Sequence, residues 1–209
     1  MKRTFDMVAA ALGLLVLSPV LLAAALLIKL TSRGPMLFRQ ERIGKHFRPF
    51  WMYKFRTMVP DAPRLGGPIT SGGDPRITRV GRVLRKTKID ELPQLFNVLR
   101  GDMSLVGPRP EVGRYVELFR HDYEHILRVR PGITDLASLK YRDEEGILAR
   151  AAVPEEEYVA HILPDKIRLA KDYVKHSAFL FDLSVLVKTA LKLFGFNVST
   201  EPSEQPAPA

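Results

Sequence analysis

The hydrophobic pattern is densest at the start of the chain. From Met7 to Ile28, 22 residues, no side chain is charged, and Ala, Leu and Val dominate. A straight helix of that length covers about 33 Å, against roughly 30 Å for the hydrocarbon core of a bilayer. Ser18-Pro19 stands at its middle. Proline there removes a backbone donor and clashes with the preceding turn, so the pattern predicts a helix broken at that point. Three arrangements compete: a signal peptide cleaved near Ala23-Ala24-Ala25, a straight span, and a re-entrant hairpin. Lys2 and Arg3 precede the run, and Lys29, Arg33, Arg39, Arg42, Lys45 and Arg48 follow it. Such flanks resist export and prefer the cytoplasmic side, so the sequence leans toward the hairpin with both ends on one face.

Beyond this run the periodicities are those of a packed domain. Pro35 to Val59 mixes aromatic, β-branched and basic residues, which predicts short strands bounded by Gly34-Pro35, Gly44 and Pro49. Pro60 to Pro75, with Gly66-Gly67-Pro68 and Ser71-Gly72-Gly73, reads as a loop over a site, and it carries neither a Walker nor a dinucleotide fingerprint. A short basic helix starts at Val80. Leu92, Leu95, Phe96 and Leu99 fall on one helical face and predict an amphipathic helix packed on a core. Val112 to Val129 and Pro154 to His176, on either side of Pro164, read as helical. In Phe179 to Phe194 the residues Leu183, Leu186, Val187, Ala190 and Phe194 share a face while Lys188 and Lys192 lie off it, a pattern suited to a membrane surface. The Pro-rich end predicts disorder.

Composition narrows the chemistry. Thirty-two Lys and Arg stand against 23 Asp and Glu, a net charge of +9, which favours a polyanionic partner: nucleic acid, an anionic membrane surface or a phosphorylated substrate. There is no cysteine, which excludes disulfides, thiolate zinc sites and cysteine nucleophiles. Asp90-Glu91-Leu92-Pro93 sits where a helix should begin, since proline is tolerated only in the first turn. The positive end of the helix favours ionised carboxylates of low pKa, fitting a nucleophile or a metal ligand better than a general acid. Asp and Glu also occupy first turns for purely structural reasons. The setting shifts the balance: Arg76, Arg79, Arg82, Arg85, Lys86 and Lys88 precede the pair, Arg109 follows between two prolines, and Lys54 and Arg56 lie upstream. Arginine forks converging on carboxylates describe a site for a diphosphate with Mg²⁺. Arg76 and Arg79 read as a solvated face.

Several ordered motifs then match one family. Lys54-Phe55-Arg56-Thr57-Met58, the run from Arg82 through Asp90-Glu91-Leu92-Pro93-Gln94 to Leu99, Gly101 to Pro110, and Arg130-Pro131-Gly132-Ile133-Thr134 closely resemble the bacterial sugar transferases, small monotopic phosphoglycosyl transferases. The resemblance covers residues 2 to 142 and thins out beyond. It implies transfer of a sugar 1-phosphate from a nucleotide diphosphate sugar, usually a UDP-sugar, to polyprenyl (undecaprenyl) phosphate at the cytoplasmic face of the bacterial inner membrane, early in glycan synthesis. By the same resemblance Asp90 is the nucleophile, Glu91 the Mg²⁺ ligand and Arg85 a phosphate ligand. Pro108, Arg109 and Pro110 lie against the nucleotide diphosphate, with Lys54, Arg56, Gln94 and Arg130 as further substrate contacts. Where many members continue Gly-Trp-Ala, this chain has Asp135-Leu136-Ala137.

Pattern and resemblance together give an α/β chain, α-rich with short strands. Residues 1–30 form a re-entrant membrane-anchoring helix, and 31–195 a compact cytoplasmic catalytic domain with interfacial amphipathic helices, open to homo-oligomerisation. Residues 196–209 form a disordered tail. His121 and His125 are spaced for zinc but lack a third ligand, and Asn197-Val198-Ser199 matches a glycosylation pattern that is frequent by chance. Two rivals remain: a membrane-tethered basic module that binds anions without chemistry, and a glycosyltransferase that passes only the sugar and releases UDP.

Overall fold

A computed structural model describes residues 1–67, 69–193, 195, 196 and 198. Pro68, Phe194, Asn197 and Ser199, and with them part of the predicted loop, helix face and glycosylation pattern and nearly all of the predicted tail, lie outside the described residues. The chain opens with α1 (Lys2–Val16) and α2 (Ser18–Thr31), bent by 61° at the single residue between them. Pro19 stands in the first turn of α2, where its missing N–H costs nothing. No single helix is long and apolar enough to cross a membrane among the described residues, whereas this bent pair passes by length and composition.

Both ends of the pair are fastened to the rest of the protein. Lys2 Nζ donates to Val106 O (3.0 Å) and Tyr173 OH (3.1 Å), and pairs with Asp182. The buried Asp6 accepts from Ser104 Oγ at 2.7 Å. At the far end, Arg56 donates to Arg33 O (2.6 Å) and Ser32 Oγ (2.7 Å). Ala10, Ala24 and Ile28 pack inward, while Leu15, Val16, Leu22 and Leu26, around the bend, are exposed.

Two small sheets follow. Strands β1 (Leu37–Ile43) and β2 (Pro49–Phe55) form an antiparallel hairpin with Leu37 opposite Phe55 and Ile43 opposite Pro49. Strands β3 (Ser104–Val106) and β4 (Gly132–Thr134) pair in parallel. Between them lie the one-turn α3 (Ala62–Leu65), α4 (Arg79–Thr87), a 3₁₀ turn (Ile89–Glu91) and α5 (Gln94–Arg100). The predicted strands and basic helix are thus present, and the predicted loop contains α3. Leu95 and Val98 bury, but Phe96 is 51% exposed, so the inner face of α5 is rotated from the predicted one. It is set by Asn97, fully buried, which donates to Trp51 O (2.7 Å) and accepts from Tyr53 N (3.1 Å), joining α5 to β2.

The remaining helices are α6 (Gly113–Leu118), α7 (Arg120–Ile126), α8 (Leu136–Lys140), α9 (Glu144–Leu148), α10 (Pro154–Glu157), α11 (Leu163–His176) and α12 (Phe179–Leu193). Phe119 breaks the predicted 112–129 helix. A π-helical turn, Tyr158–Ile162, leads into α11 and leaves Pro164 in its first turn, so the helical path passes through the proline. Tyr115, Ile126, Leu148, Ile162 and Leu163 share one core, and Val106, Leu136, Tyr173 and Val185 another. Helix α12 packs through Asp182 and Val185, leaving Leu183 and Val187 of the predicted apolar face exposed; Lys192 turns inward onto Leu139 O.

Arg76 departs from the solvated role its sequence context suggests. Its guanidinium forks onto Asp74 and donates to Gly67 O (2.9 Å) and Ile69 O (3.2 Å), with only 10% of its side chain exposed. The charge runs of the sequence do not reveal this, because the partners are mostly backbone carbonyls of a loop. Breaking a buried pair leaves one charge uncompensated. Arg76→Ala should therefore cost about 3 kcal/mol in urea unfolding, against under about 0.5 kcal/mol for the exposed Arg79→Ala. Equal losses would contradict the burial of the pair.

Candidate active site

The site is assembled where α4, the 3₁₀ turn, β2 and the segment after β3 meet. Thr78 caps α4 by accepting from Gly81 N at 2.9 Å. A Cβ on Gly81 would fall 2.0 Å from Thr57 O, so only glycine lets α4 lie this close to the end of β2. That approach puts Arg85 Nε 3.0 Å from Thr57 Oγ1, and its Nη1 bonds Glu145 of α9 at 2.5 Å. Lys88 ends α4 in the left-handed conformation, φ 60°, and throws the chain into the turn that carries the two carboxylates.

The neighbours divide unequally between those carboxylates. Glu91 Oε1 accepts from Lys54 Nζ (3.0 Å) and Arg109 Nη2 (2.5 Å), and Oε2 accepts from Arg109 Nη1 (3.2 Å). This is a two-pronged guanidinium–carboxylate pair with a second cation alongside. Asp90 is 7% exposed, and its Oδ1 is buried with no hydrogen-bond partner. Burial pushes Glu91 upward, but Arg109 and Lys54 outweigh it and hold its carboxyl well below the usual range. Burial, then the Glu91 charge, raises Asp90 to about 6. The low pKa expected for both carboxylates from the helix terminus therefore holds for Glu91 and fails for Asp90, because burial and the adjacent Glu91 charge outweigh the pull of the nearby Lys54, Lys88 and Arg85. Burial likewise lowers Lys54, against the pull of Glu91.

A cleft of about 760 Å³ opens over the pair. Lys54, Arg85, Asp90, Glu91 and Arg109 line it together, with Arg82, Lys86 and Lys88 at the same wall. Five of the sequence-selected residues stand elsewhere. Arg56 is spent on Ser32 and Arg33, and Arg130 donates to Gly101 O at 2.9 Å from an exposed position. Gln94 is 1% exposed on the inner face of α5, and Pro108, like Gln94, is buried and does not line the cleft. Pro110 is buried beside Arg109, its carbonyl taken by Arg42 at 3.1 Å. Conversely, Tyr141, Arg142, Glu144, Glu145, Lys166 and Lys192 also line the cleft. They belong to a stretch without a recognisable motif, and only the tertiary fold brings them here.

The donor set fits a divalent cation that arrives with phosphate. Two adjacent carboxylates face the cleft, one with an unpartnered oxygen, and among the described residues no group of three or more His, Asp or Glu gathers to enclose a metal. Mg²⁺ is commonly held by one or two carboxylates, with substrate phosphates completing its shell. His121 and His125 pack ring edge to ring face at 5.9 Å, and they too join no such group.

Comparison with known proteins agrees in extent. The family model of bacterial sugar transferases matches residues 1–195, well past the point near 142 where the motifs thin out. A UDP-N-acetylgalactosamine-undecaprenyl-phosphate N-acetylgalactosaminephosphotransferase of Aeromonas hydrophila is 41% identical over 195 residues, covering 90% of this chain and 42% of that protein. An undecaprenyl-phosphate glucose phosphotransferase of Komagataeibacter xylinus is 47% identical over 169 residues, 76% of this chain and 32% of that one. A UDP-glucose:undecaprenyl-phosphate glucose-1-phosphate transferase of Caulobacter vibrioides is 41% identical over 197 residues, 92% and 69% respectively. The chain thus spans less than half the length of the first two.

The raised Asp90 carboxyl has a measurable consequence for stability. A carboxyl whose folded pKa is lifted from 3.8 to about 6 stabilises the fold fully below pH 3.8 and loses that contribution as pH rises through 6. Asp90→Asn is free of the loss. In metal-free buffer its melting temperature, relative to the wild type, should therefore climb between pH 5 and pH 8; a constant difference would contradict the assignment.

Proposed function

Because the chain belongs to the bacterial sugar transferase family, we propose that it moves a sugar 1-phosphate from a nucleotide diphosphate sugar, a UDP-sugar, to polyprenyl phosphate. The observation that carries this function is the split between the two carboxylates: Glu91 is fully engaged by Arg109 and Lys54, while Asp90 keeps a buried, unpartnered oxygen in a cationic cleft. A carboxylate raised to about 6 is still mostly ionised at neutral pH, and it is a better nucleophile than one held low by paired cations.

In the proposed reaction an Asp90 oxygen attacks the β-phosphorus of the donor. The bond from that phosphorus to the bridging oxygen breaks, and the nucleoside monophosphate leaves with the oxygen and its electron pair. The protein then carries the sugar phosphate as an acyl phosphate. A phosphate oxygen of the lipid attacks the same phosphorus, the bond to Asp90 breaks, and the carboxylate is regenerated with no net change in protons or electrons. Arg85 and Arg109 hold diphosphate oxygens, and Lys54 keeps Glu91 ionised and oriented. Glu91, with Asp90, would hold Mg²⁺, which would supply neutralisation of the diphosphate charge there.

The pinned helix pair supports a membrane seat for this chemistry. Its two ends are fixed to the domain and its bend is lined with exposed leucine and valine, the arrangement a re-entrant anchor at the cytoplasmic face of the inner membrane requires. The exposed Leu183 and Val187 of α12 suit the same interface. In this role the enzyme performs the first membrane step of a bacterial glycan pathway.

The test is product identity. With UDP-glucose or UDP-N-acetylgalactosamine, Mg²⁺ and undecaprenyl phosphate, the protein should release UMP, and chelation of the metal should abolish release. Release of UDP instead would establish a transferase that passes only the sugar. Binding of both substrates with no nucleotide released would leave a non-enzymatic anion-binding module.

A further inference from the structure

The backbone of the Pro108-Arg109-Pro110 segment makes one hydrogen bond per residue. Pro108 O accepts from Gly132 N at 3.0 Å, and Pro110 O accepts from Arg42 Nη1 at 3.1 Å. Between two prolines, Arg109 owns the segment's only backbone N–H, and that group donates to Asp135 Oδ2 at 3.1 Å. The other oxygen, Oδ1, accepts from Ser138 N at 2.7 Å as the N-cap of α8. Asp135 is 3% exposed, and Ala137 and Ser138 of α8 line the cleft. One buried carboxylate therefore ties the backbone of the residue that grips Glu91 to a helix that lines the cleft.

We propose that Asp135 is a positioning residue for Arg109: by accepting from the Arg109 amide and from the first turn of α8 together, it keeps the Arg109 guanidinium aimed at Glu91 and the cleft. Two acceptor oxygens are what this requires. A carboxylate satisfies both N–H groups at once, whereas serine has one oxygen, glycine has none, and asparagine turns a donor toward one of the two amides. Gly107 and Gly132 approach so closely that a Cβ on Gly132 would sit 2.1 Å from Gly107 N, so the backbone leading into the segment lies directly against β4. The position is the one where this chain parts from the Gly-Trp-Ala that its resemblance to the sugar transferases leads one to expect.

The catalytic consequence rests on the function proposed above; the anchoring does not. Asp135→Ser separates the two contacts, because serine is an effective N-cap yet its single oxygen cannot also hold the Arg109 amide. Its melting temperature should stay close to that of the wild type while UMP release falls about tenfold to a hundredfold, the scale of loss from a displaced catalytic group. Asp135→Asn should lose activity to a similar extent. Adding Asp135→Ser to Arg109→Ala should cost less than about threefold beyond Arg109→Ala alone, since Asp135 acts through Arg109. Independently of activity, hydrogen exchange in a peptide covering residues 107–110, where the flanking prolines isolate the Arg109 amide, should quicken at least tenfold in Asp135→Ser. A wild type that releases no UMP from any UDP-sugar would overturn the transferase function and leave the exchange measurement to decide on Asp135. Unchanged Arg109 exchange, full activity in Asp135→Ser, or losses that multiply in the double variant would each overturn the proposal.

Discussion

Two adjacent carboxylates on one turn cannot both be matched by a single fork of cations, and the organisation of the site follows from that shortage. Arg109 and Lys54 both go to Glu91, which stays ionised although buried. Asp90, one residue away, carries the cost of the neighbouring charge and of its own burial without a direct partner. Like charges so close push the second carboxyl up, and the asymmetry assigns different work to each. Glu91 is a fixed anionic floor, and Asp90 is the group left with a free oxygen. Each element around the turn serves this division. Strand β2 delivers Lys54, the two prolines stiffen the segment that delivers Arg109, and Gly81 lets α4 close in so that Arg85 joins them.

The bent helix pair is governed by a related constraint, the burial of charge at its ends. Lys2 and the buried Asp6 at its start, and Ser32 at its far end through Arg56, are each partnered across sequence separations of up to 180 residues. A straight helix would carry its far end away from the domain; a bend of 61° brings both ends back to it. The apolar apex is exposed. In the proposed function that apex sits in lipid and the same pinning sets the cleft at the height of a lipid phosphate, so anchor and active site are positioned by one set of contacts.

The sequence is legible where a property is local. The broken apolar run, the β1–β2 hairpin, the basic helix and the helical turn at Asp90-Glu91 all announce themselves through composition, periodicity or proline position. It is less legible where a side chain's partners are backbone atoms far along the chain. Arg76 and Arg56 look like exposed or phosphate-binding arginines, yet both are consumed by carbonyls. Gln94 and Phe96 exchange the faces expected of them because Asn97, tied to Trp51 and Tyr53, fixes the rotation of α5. The raised carboxyl of Asp90 is illegible for the same reason: helix-end electrostatics is local, but the allocation of Arg109 and Lys54 is tertiary.

In the proposed reaction Asp90 itself carries the sugar phosphate. Intact-mass analysis of the full chain incubated with Mg²⁺ and the accepted UDP-sugar, with no polyprenyl phosphate, tests it most directly. A mass increase equal to the sugar phosphate less one water is expected, mapped to the peptide containing Asp90, with about one equivalent of UMP released. Asp90→Asn should show neither. An unchanged mass, with UMP appearing only when the lipid is supplied, would contradict it.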